Sequence, residues 1–415
     1  MIKHLKKIDT FGRNMILVFA GTTIANFLNL LYQLIIAHKL SPSDFAAFNS
    51  LLAIFILIST PLSTLQQATA KYCAEFNARN ELSKVKGIFS GLLKKSLLLA
   101  LVTLVLFYFL SFFLTRTLKI PSVACGYILA AMLATSWTVP IFAGAVQGLE
   151  LFKWLVLASL VGGLIKLAST FVFLQMGFNA AGALGAFLIS VIVGLAIYFK
   201  PLGKYFSWKE NPDRVYYKEI FWYLFPLAAG SFCFIALSTF DIVLVKYYFT
   251  PEQSGVYSLA QMVGKIFLFL PGAISLVMFP RAAGLKAQNM DTSAVLKRSL
   301  IYGGILCVIA IAVYNLIPGL ILKILTGKAL PQSIFLGRFF SVSMSFFTLT
   351  NIFIYYFLSI KDLRFLKWLL CLTAAQFIAI GFFHQGLLQV QLIICANSIL
   401  IFAMLMAFAV NKPKK

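Results

Sequence analysis

Polar residues punctuate this 415-residue chain at near-regular intervals, and twelve long apolar runs lie between them. They cover 14–37, 45–65, 96–115, 121–143, 152–175 and 178–200 in the first half. In the second half they cover 219–248, 255–279, 299–322, 333–358, 363–383 and 386–410. A hydrocarbon layer ~30 Å thick takes ~20 apolar residues wound as a helix. Membrane barrel strands alternate in polarity over ~10 residues, whereas these runs are continuously apolar. The pattern predicts an all-α integral membrane protein with about twelve transmembrane helices.

Composition agrees. Hydrophobic residues make up 61% and charged residues 11% of the chain, a balance that excludes a soluble globular domain. The charges also orient it. With the N-terminus inside, segments 1–13, 66–95, 144–153, 200–218, 280–298, 361–367 and 411–415 hold 26 Lys and Arg, against six in the outer loops. That asymmetry places both termini in the cytoplasm. The net charge of +23 is then mostly topology and contact with anionic membrane lipids, not a nucleic-acid surface. The opening MIKHLKKIDTFGR is like the charged front of a signal peptide. The apolar run behind it is too long and lacks an Ala-x-Ala site, so it reads as a retained helix.

Metal and redox chemistry find little support. Cys73, Cys125, Cys233, Cys307, Cys371 and Cys395 are scattered without a C-x-x-C, and His4, His38 and His384 lie far apart near run ends. No cofactor is expected.

The two halves repeat one another. HKLSPSDFAAFNSL and YYFTPEQSGVYSLA align Ser41-Pro42 with Thr250-Pro251 and Phe48 with Tyr257 at an offset of 209. Pro61 and Lys71 match Pro271 and Arg281 at an offset of 210. Six helices separate the copies, so both have the same orientation. This predicts two six-helix lobes, 1–210 and 211–415, related by a parallel pseudo-two-fold axis along the membrane normal. The polar, turn-rich 200–218 is the natural linker. Residues 66–95 read as an extension of helix 2 followed by a surface helix carrying Lys84, Lys86, Lys94 and Lys95.

Three stretches carry a family resemblance: LSPSDFAAF after helix 1, QGLELFKW closing helix 4, and FDIVLVKYYFTPEQSGVYSLA across helices 7 and 8. With them the chain resembles the polysaccharide transporter, or lipid-linked oligosaccharide (O-antigen) flippase, family of the multidrug/oligosaccharidyl-lipid/polysaccharide exporter superfamily. The resemblance implies two lobes around a central cavity in a bacterial or archaeal cell (inner) membrane. It also implies a polyprenyl-pyrophosphate-linked glycan as the cargo, with a polysaccharide polymerase or ligase as the partner that uses it. It implies a transporter rather than an enzyme.

Few charges lie inside the runs. At ~1.5 Å per residue, Lys166 and Lys265 lie ~14 Å and ~15 Å deep, and Asp241 and Arg338 roughly 10 Å and 8 Å below the outer surface. A charge at mid-membrane costs ~2.5–3.5 kcal/mol on insertion scales, so it belongs beside a cavity or a partner. Three cations against one carboxylate favour an anionic cargo. Asn26, Asn29 and Gln33 share one face of helix 1 and are further cavity candidates; polar glue between helices explains them equally well. Gly162-Gly163 and Gly182 with Gly185 read as close helix packing. Pro61, Pro140, Pro226 and Pro271 are candidate hinges.

The same charges separate the functions. A multidrug and toxin cation antiporter of the same superfamily calls for buried carboxylates, and Asp241 is the one this chain places inside the bilayer. A polyprenol-using glycosyltransferase or polymerase calls for acid/base groups on the outer face. Asp44 and Glu252, both in turns, are the carboxylates there. The reading is a flippase working by alternating access with a cationic cavity. Asp241 is the candidate carboxylate for coupling to a proton or sodium gradient.

Overall fold

The computed structural model describes residues 10–206, 214–269 and 290–410 except 361, together with 274, 278, 281, 282, 284–286 and 288. Side chains of 10–16 and 214–224 are not described. Among the described residues every regular element is a helix. In the first half they are α1 (Thr10–Lys39), α2 (Pro42–Leu62), α3 (Thr64–Ala78), α4 (Leu82–Thr117), α5 (Ala124–Gly148), α6 (Phe152–Gln175) and α7 (Asn179–Leu202). Then follow α8 (Arg214–Thr239), α9 (Asp241–Tyr248), α10 (Pro251–Phe269), α11 (Ser293–Leu316) and α12 (Pro318–Thr326). The last three are α13 (Pro331–Ser359), α14 (Arg364–Phe382) and α15 (Leu387–Val410). Ten spans among the described residues are long and apolar enough to cross a membrane, or eleven if the bent pair α8–α9 counts as one. The run 255–279 is described continuously to Phe269.

By internal contacts the described chain forms two compact units. One contains α1 up to Lys39 with Ile58–Phe225; the other contains Leu40–Leu57 with everything from Pro226 onward. In the first unit α5 is the hub, packing on α3, α4 and α7, while α6 joins α7 to α1. Glycines bring these helices close. A Cβ on Gly163 would meet Leu28 of α1, and one on Gly162 would sit 3.2 Å from the Ser190 carbonyl of α7. In the second unit α13 is the hub, packing on α10, α11 and α15. The flank of α4 that carries Leu98, Leu101, Phe109, Phe112 and Phe113 is exposed, as a lipid-facing helix requires.

The two copies of the turn fold alike. Ser41 and Thr250 each precede a proline that opens a helix, the position where a missing N–H costs nothing. Asp44 N donates to Ser41 Oγ at 3.1 Å, and Gln253 N donates to Thr250 Oγ1 at 3.3 Å. Phe45 N donates to the Ser41 carbonyl and Ser254 N to the Thr250 carbonyl, both at 2.9 Å. Every one of these pairs differs by 209, so the repeat is one of hydrogen bonding as well as of sequence.

One sequence expectation needs correction. Residues 82–95 are not a separate surface helix: they are the first turns of α4, which runs unbroken for 36 residues. Their apolar face (Val85, Ile88, Phe89, Leu92) is buried against Tyr72 and Phe76 of α3 and Phe142 of α5, which keeps the helix going past the end of its apolar run. Of the candidate hinges, Pro140 lies inside α5 and Pro226 inside α8. Pro61 lies one residue before the end of α2, and α3 resumes after Ser63. Pro271 lies outside the described residues.

Candidate functional site

In the first unit Lys166, on α6, is 5% exposed. Its ammonium donates to Asn29 Oδ1 of α1 and lies 4.6 Å from the Tyr32 ring centroid and 5.3 Å from that of Phe187. Tyr32 is itself fixed, its hydroxyl donating to the Ala183 carbonyl at 2.8 Å. Asn29 and Tyr32 are three apart on one helix face, so α1 offers the ammonium an amide oxygen and an aromatic face together. Asn26, one turn earlier, is exposed and makes no contact with this group in the described residues. Gln33 Oε1 is buried without a hydrogen-bond partner among the described residues.

The second unit holds a larger polar cluster. The span of α8 and α9 bends by 44° at Phe240, and Asp241 opens α9 fully buried. A carboxylate at a helix N-terminus faces unpaired N–H groups and the positive end of the helix dipole. Its oxygens are taken by α10: Tyr257 donates to Oδ2 at 2.6 Å and Gln261 Nε2 to Oδ1 at 2.7 Å. Gln391 of α15 reaches both Tyr257 (3.4 Å) and Ser343 of α13 (3.0 Å). The break itself is tied down from α14, where Gln376 donates to the Leu237 carbonyl at 3.0 Å and accepts from Asn397 at 2.8 Å. Neither Arg338 nor Lys265 forms an ion pair with Asp241. Arg338 is exposed, in the second turn of α13.

Lys265 belongs to the same face of α10. Tyr257, Gln261 and Lys265 follow at i, i+4 and i+8, a spacing that stacks them along one side of a helix. Its ammonium donates to Asn49 Oδ1 of α2 at 2.7 Å, and Asn49 Nδ2 donates to Ser258 Oγ at 2.9 Å and to the Phe45 carbonyl at 3.0 Å. The two deep lysines thus share an arrangement. Each is held by the amide oxygen of an asparagine, and among the described residues neither lies in a salt bridge, the bridges found there all joining neighbours along the chain. Lys246, near the end of the run 219–248, is buried in α9. Lys328, in the loop between α12 and α13, donates to the Leu40 carbonyl at 2.6 Å, and burial lowers its pKa.

Asn49, Tyr257, Gln261 and Gln391 were not among the sequence candidates. For Tyr257 and Gln261 the four-residue spacing to Lys265 was a usable signal; for Asn49 and Gln391 only their neighbours in space reveal them. Among the described residues no group of three His, Cys, Asp or Glu is placed to hold a metal ion.

Residues 11–286 match the model of a family described as polysaccharide biosynthesis protein, well over half of the chain. The chain belongs to the polysaccharide biosynthesis protein family. The fold of this family member is shared with transporters of the MOP superfamily. An inward-facing multidrug resistance transporter of the MATE family superposes with a TM-score of 0.76 at 15% identity, covering 93% of this chain and 94% of the other. The lipid II flippase MurJ, in an inward closed conformation, gives 0.74 at 14% identity, covering 96% and 88%. A MATE protein in complex with MaD3S gives 0.63 at 17%, covering 95% and 93%. No curated protein sequence matches the chain closely enough to count as a relative. The chain is thus a multi-pass helical member of the polysaccharide biosynthesis protein family, with two compact units and a fold like that of the MATE transporters and MurJ.

Proposed function

We propose that the chain is a flippase that moves a polyprenyl-pyrophosphate-linked oligosaccharide across the cell membrane for surface polysaccharide synthesis. The observation that carries this reading is the pair of deep lysines, Lys166 and Lys265, each bound to a neutral amide oxygen instead of a carboxylate. Neither ammonium is paired with a carboxylate at contact distance among the described residues, although Asp241 attracts Lys265 through space. A phosphate oxygen carries a charge that the amide oxygen lacks, so it adds a Coulomb attraction to a bond the ammonium already strengthens. A pyrophosphate is therefore a better partner for each lysine than the asparagine it now has.

Arg338, exposed and shallower, adds a third cation for the glycan or its phosphates. The mode is alternating access: the head group enters from the cytoplasmic side, guided by the lysines, while the polyprenyl tail stays in lipid. Both termini face the cytoplasm on this reading, and a polymerase or ligase on the far side consumes the product. Asp241, buried with its oxygens on Tyr257 and Gln261, is the group that would exchange a proton or a sodium ion if a gradient drives the cycle.

The test is flipping in proteoliposomes. A fluorescent polyprenyl-pyrophosphate oligosaccharide becomes accessible to added glycosidase in a protein-dependent way, and the rate collapses in the Lys166→Gln, Lys265→Gln double variant. The MATE neighbours supply the rival reading, since a MATE-type fold also exports drugs. Gradient-driven efflux of a cationic dye without any lipid movement would establish that rival instead.

A further inference from the structure

The segment Leu40–Leu57 comes from the first half of the chain yet folds with the second unit, and α2 continues past it into the first unit from Ile58 to Leu62. It is held there by the burial of Phe45, Phe48, Leu51 and Leu52 and by contacts that include these four. Lys328 bonds the Leu40 carbonyl, Pro42 lies against Gly255, Asn49 bonds Ser258, and Lys265 bonds Asn49. The Pro42 contact is tight enough that a Cβ on Gly255 would come within 2.7 Å of the proline. The second and third are apolar packing and a neutral hydrogen bond and offer an anion no place to compete; the first is an ammonium on a neutral oxygen like the fourth, but it lies in the loop between α12 and α13 and not within a span.

The fourth is different. Lys265 Nζ lies at the inner end of this series, and its bond to Asn49 is one that an anion can replace with a stronger one. Asn49 is 2% exposed, so no bulk water waits to replace the ammonium on its Oδ1. A buried acceptor stripped of its donor destabilises the arrangement that buries it. The consequence is a difference in free energy between two arrangements of 40–57, set by where the Lys265 ammonium points. A ligand shifts such an equilibrium only through that kind of differential interaction.

We infer that Lys265 and Asn49 form an anion-released latch: a pyrophosphate head that takes the Lys265 ammonium from Asn49 loosens the hold of the second unit on Leu40–Leu57. The inference rests on the flippase reading for the identity of the anion. It adds that Lys265 is not only a binding group, since the same ammonium reports occupancy to α2. Asn49 is a positioning residue that competes with the cargo.

The opposed variants Asn49→Ala and Asn49→Asp test it in nanodiscs with undecaprenyl pyrophosphate as the probe. Removing the competitor in Asn49→Ala tightens binding about tenfold, and placing a carboxylate beside Lys265 in Asn49→Asp weakens it about tenfold, the scale of one charge-assisted bond. A merely structural asparagine would give weaker binding in both. Hydrogen exchange read on peptides from 40–57 accelerates when the probe saturates the native protein, and stays unchanged in Lys265→Gln. Probe binding that leaves exchange in 40–57 unchanged or slower, or an Asn49→Ala variant that binds no tighter than native, overturns the latch and leaves the flippase reading standing. A native protein that binds no probe at all overturns both.

Discussion

Asn49 and Ser258 are joined side chain to side chain at 2.9 Å, and they are 209 residues apart, the offset of the internal repeat. Residues in equivalent places in the two copies therefore touch. Both lie in the second compact unit, where Leu40–Leu57 of α2 folds with α10. The turns that open these helices repeat the same pattern of capping bonds around Ser41 and Thr250. Substitution at this seam should thus act on both copies at once. Gly255→Ala, which drives a methyl group onto Pro42, is expected to lower thermal stability in detergent by about 1–3 kcal/mol, the usual cost of overpacking. An unchanged melting temperature would show that the seam yields easily.

Asp241 sets a second prediction. Asp241→Leu leaves the Tyr257 hydroxyl and the Gln261 amide buried without their acceptor, each worth about 1–3 kcal/mol. Asp241→Asn retains an acceptor oxygen for one of them and has a similar volume. The leucine variant should unfold well below the asparagine variant in a fluorescence-detected melt. Equal melting of the two would mean that the carboxylate is not what holds α9 to α10.

The bend at Phe240 is held by Gln376. Carbonyls in the last turn of a helix lack intrahelical partners, and Leu237 finds one in the Gln376 amide. Gln376→Leu removes that bond and the acceptor of Asn397 together, and about 1–3 kcal/mol of stability should go with it. Gln376→Glu, which keeps an acceptor for Asn397 but cannot donate when ionised, separates the two contributions. If the glutamate variant is as stable as native, the bond to Leu237 contributes nothing.

Lys166 gives a prediction on transport rather than stability. Lys166→Met keeps an unbranched side chain among Tyr32 and Phe187, so the fold should tolerate it. It removes the cation, and flipping of a pyrophosphate-linked lipid should fall about tenfold or more, one charge-assisted bond's worth. Native transport by a well-inserted Lys166→Met protein would reduce Lys166 to glue between α6 and α1.

Orientation can be checked directly. In a cysteine-free background, Ser122→Cys in the loop before α5 should react with an impermeant maleimide on intact cells. Lys84→Cys, at the start of α4, should react only after the membrane is opened. The reverse pattern would invert the topology drawn from the Lys and Arg distribution.

Much of the fold was legible because hydropathy is a local, additive property. A run of twenty apolar residues needs the bilayer whatever its neighbours are, so the spans, their helical state and the excess of deep cations could be read from residue order. The repeat was legible for the same reason, since Ser-Pro and Thr-Pro turns declare themselves locally. Where local reading stopped short, a tertiary contact had intervened. Residues 82–95 remain helix α4 because Val85, Ile88 and Phe89 bury against α3 and α5, which their mixed polarity does not reveal.

The sequence by itself determined that Lys166, Lys265 and Asp241 lie within long apolar runs and need partners. Only the tertiary structure decided which partners. Lys166 reaches an asparagine 137 residues away, Lys265 one 216 residues away, and Asp241 a tyrosine and a glutamine on the following helix instead of a cation. Burial drives polar groups in the bilayer toward a donor or acceptor, and which one each takes depends on the geometry with which the helices meet. That geometry is a property of the packed chain and of no single stretch of it, which is why Leu40–Leu57 could fold with the half of the protein to which it does not belong in sequence.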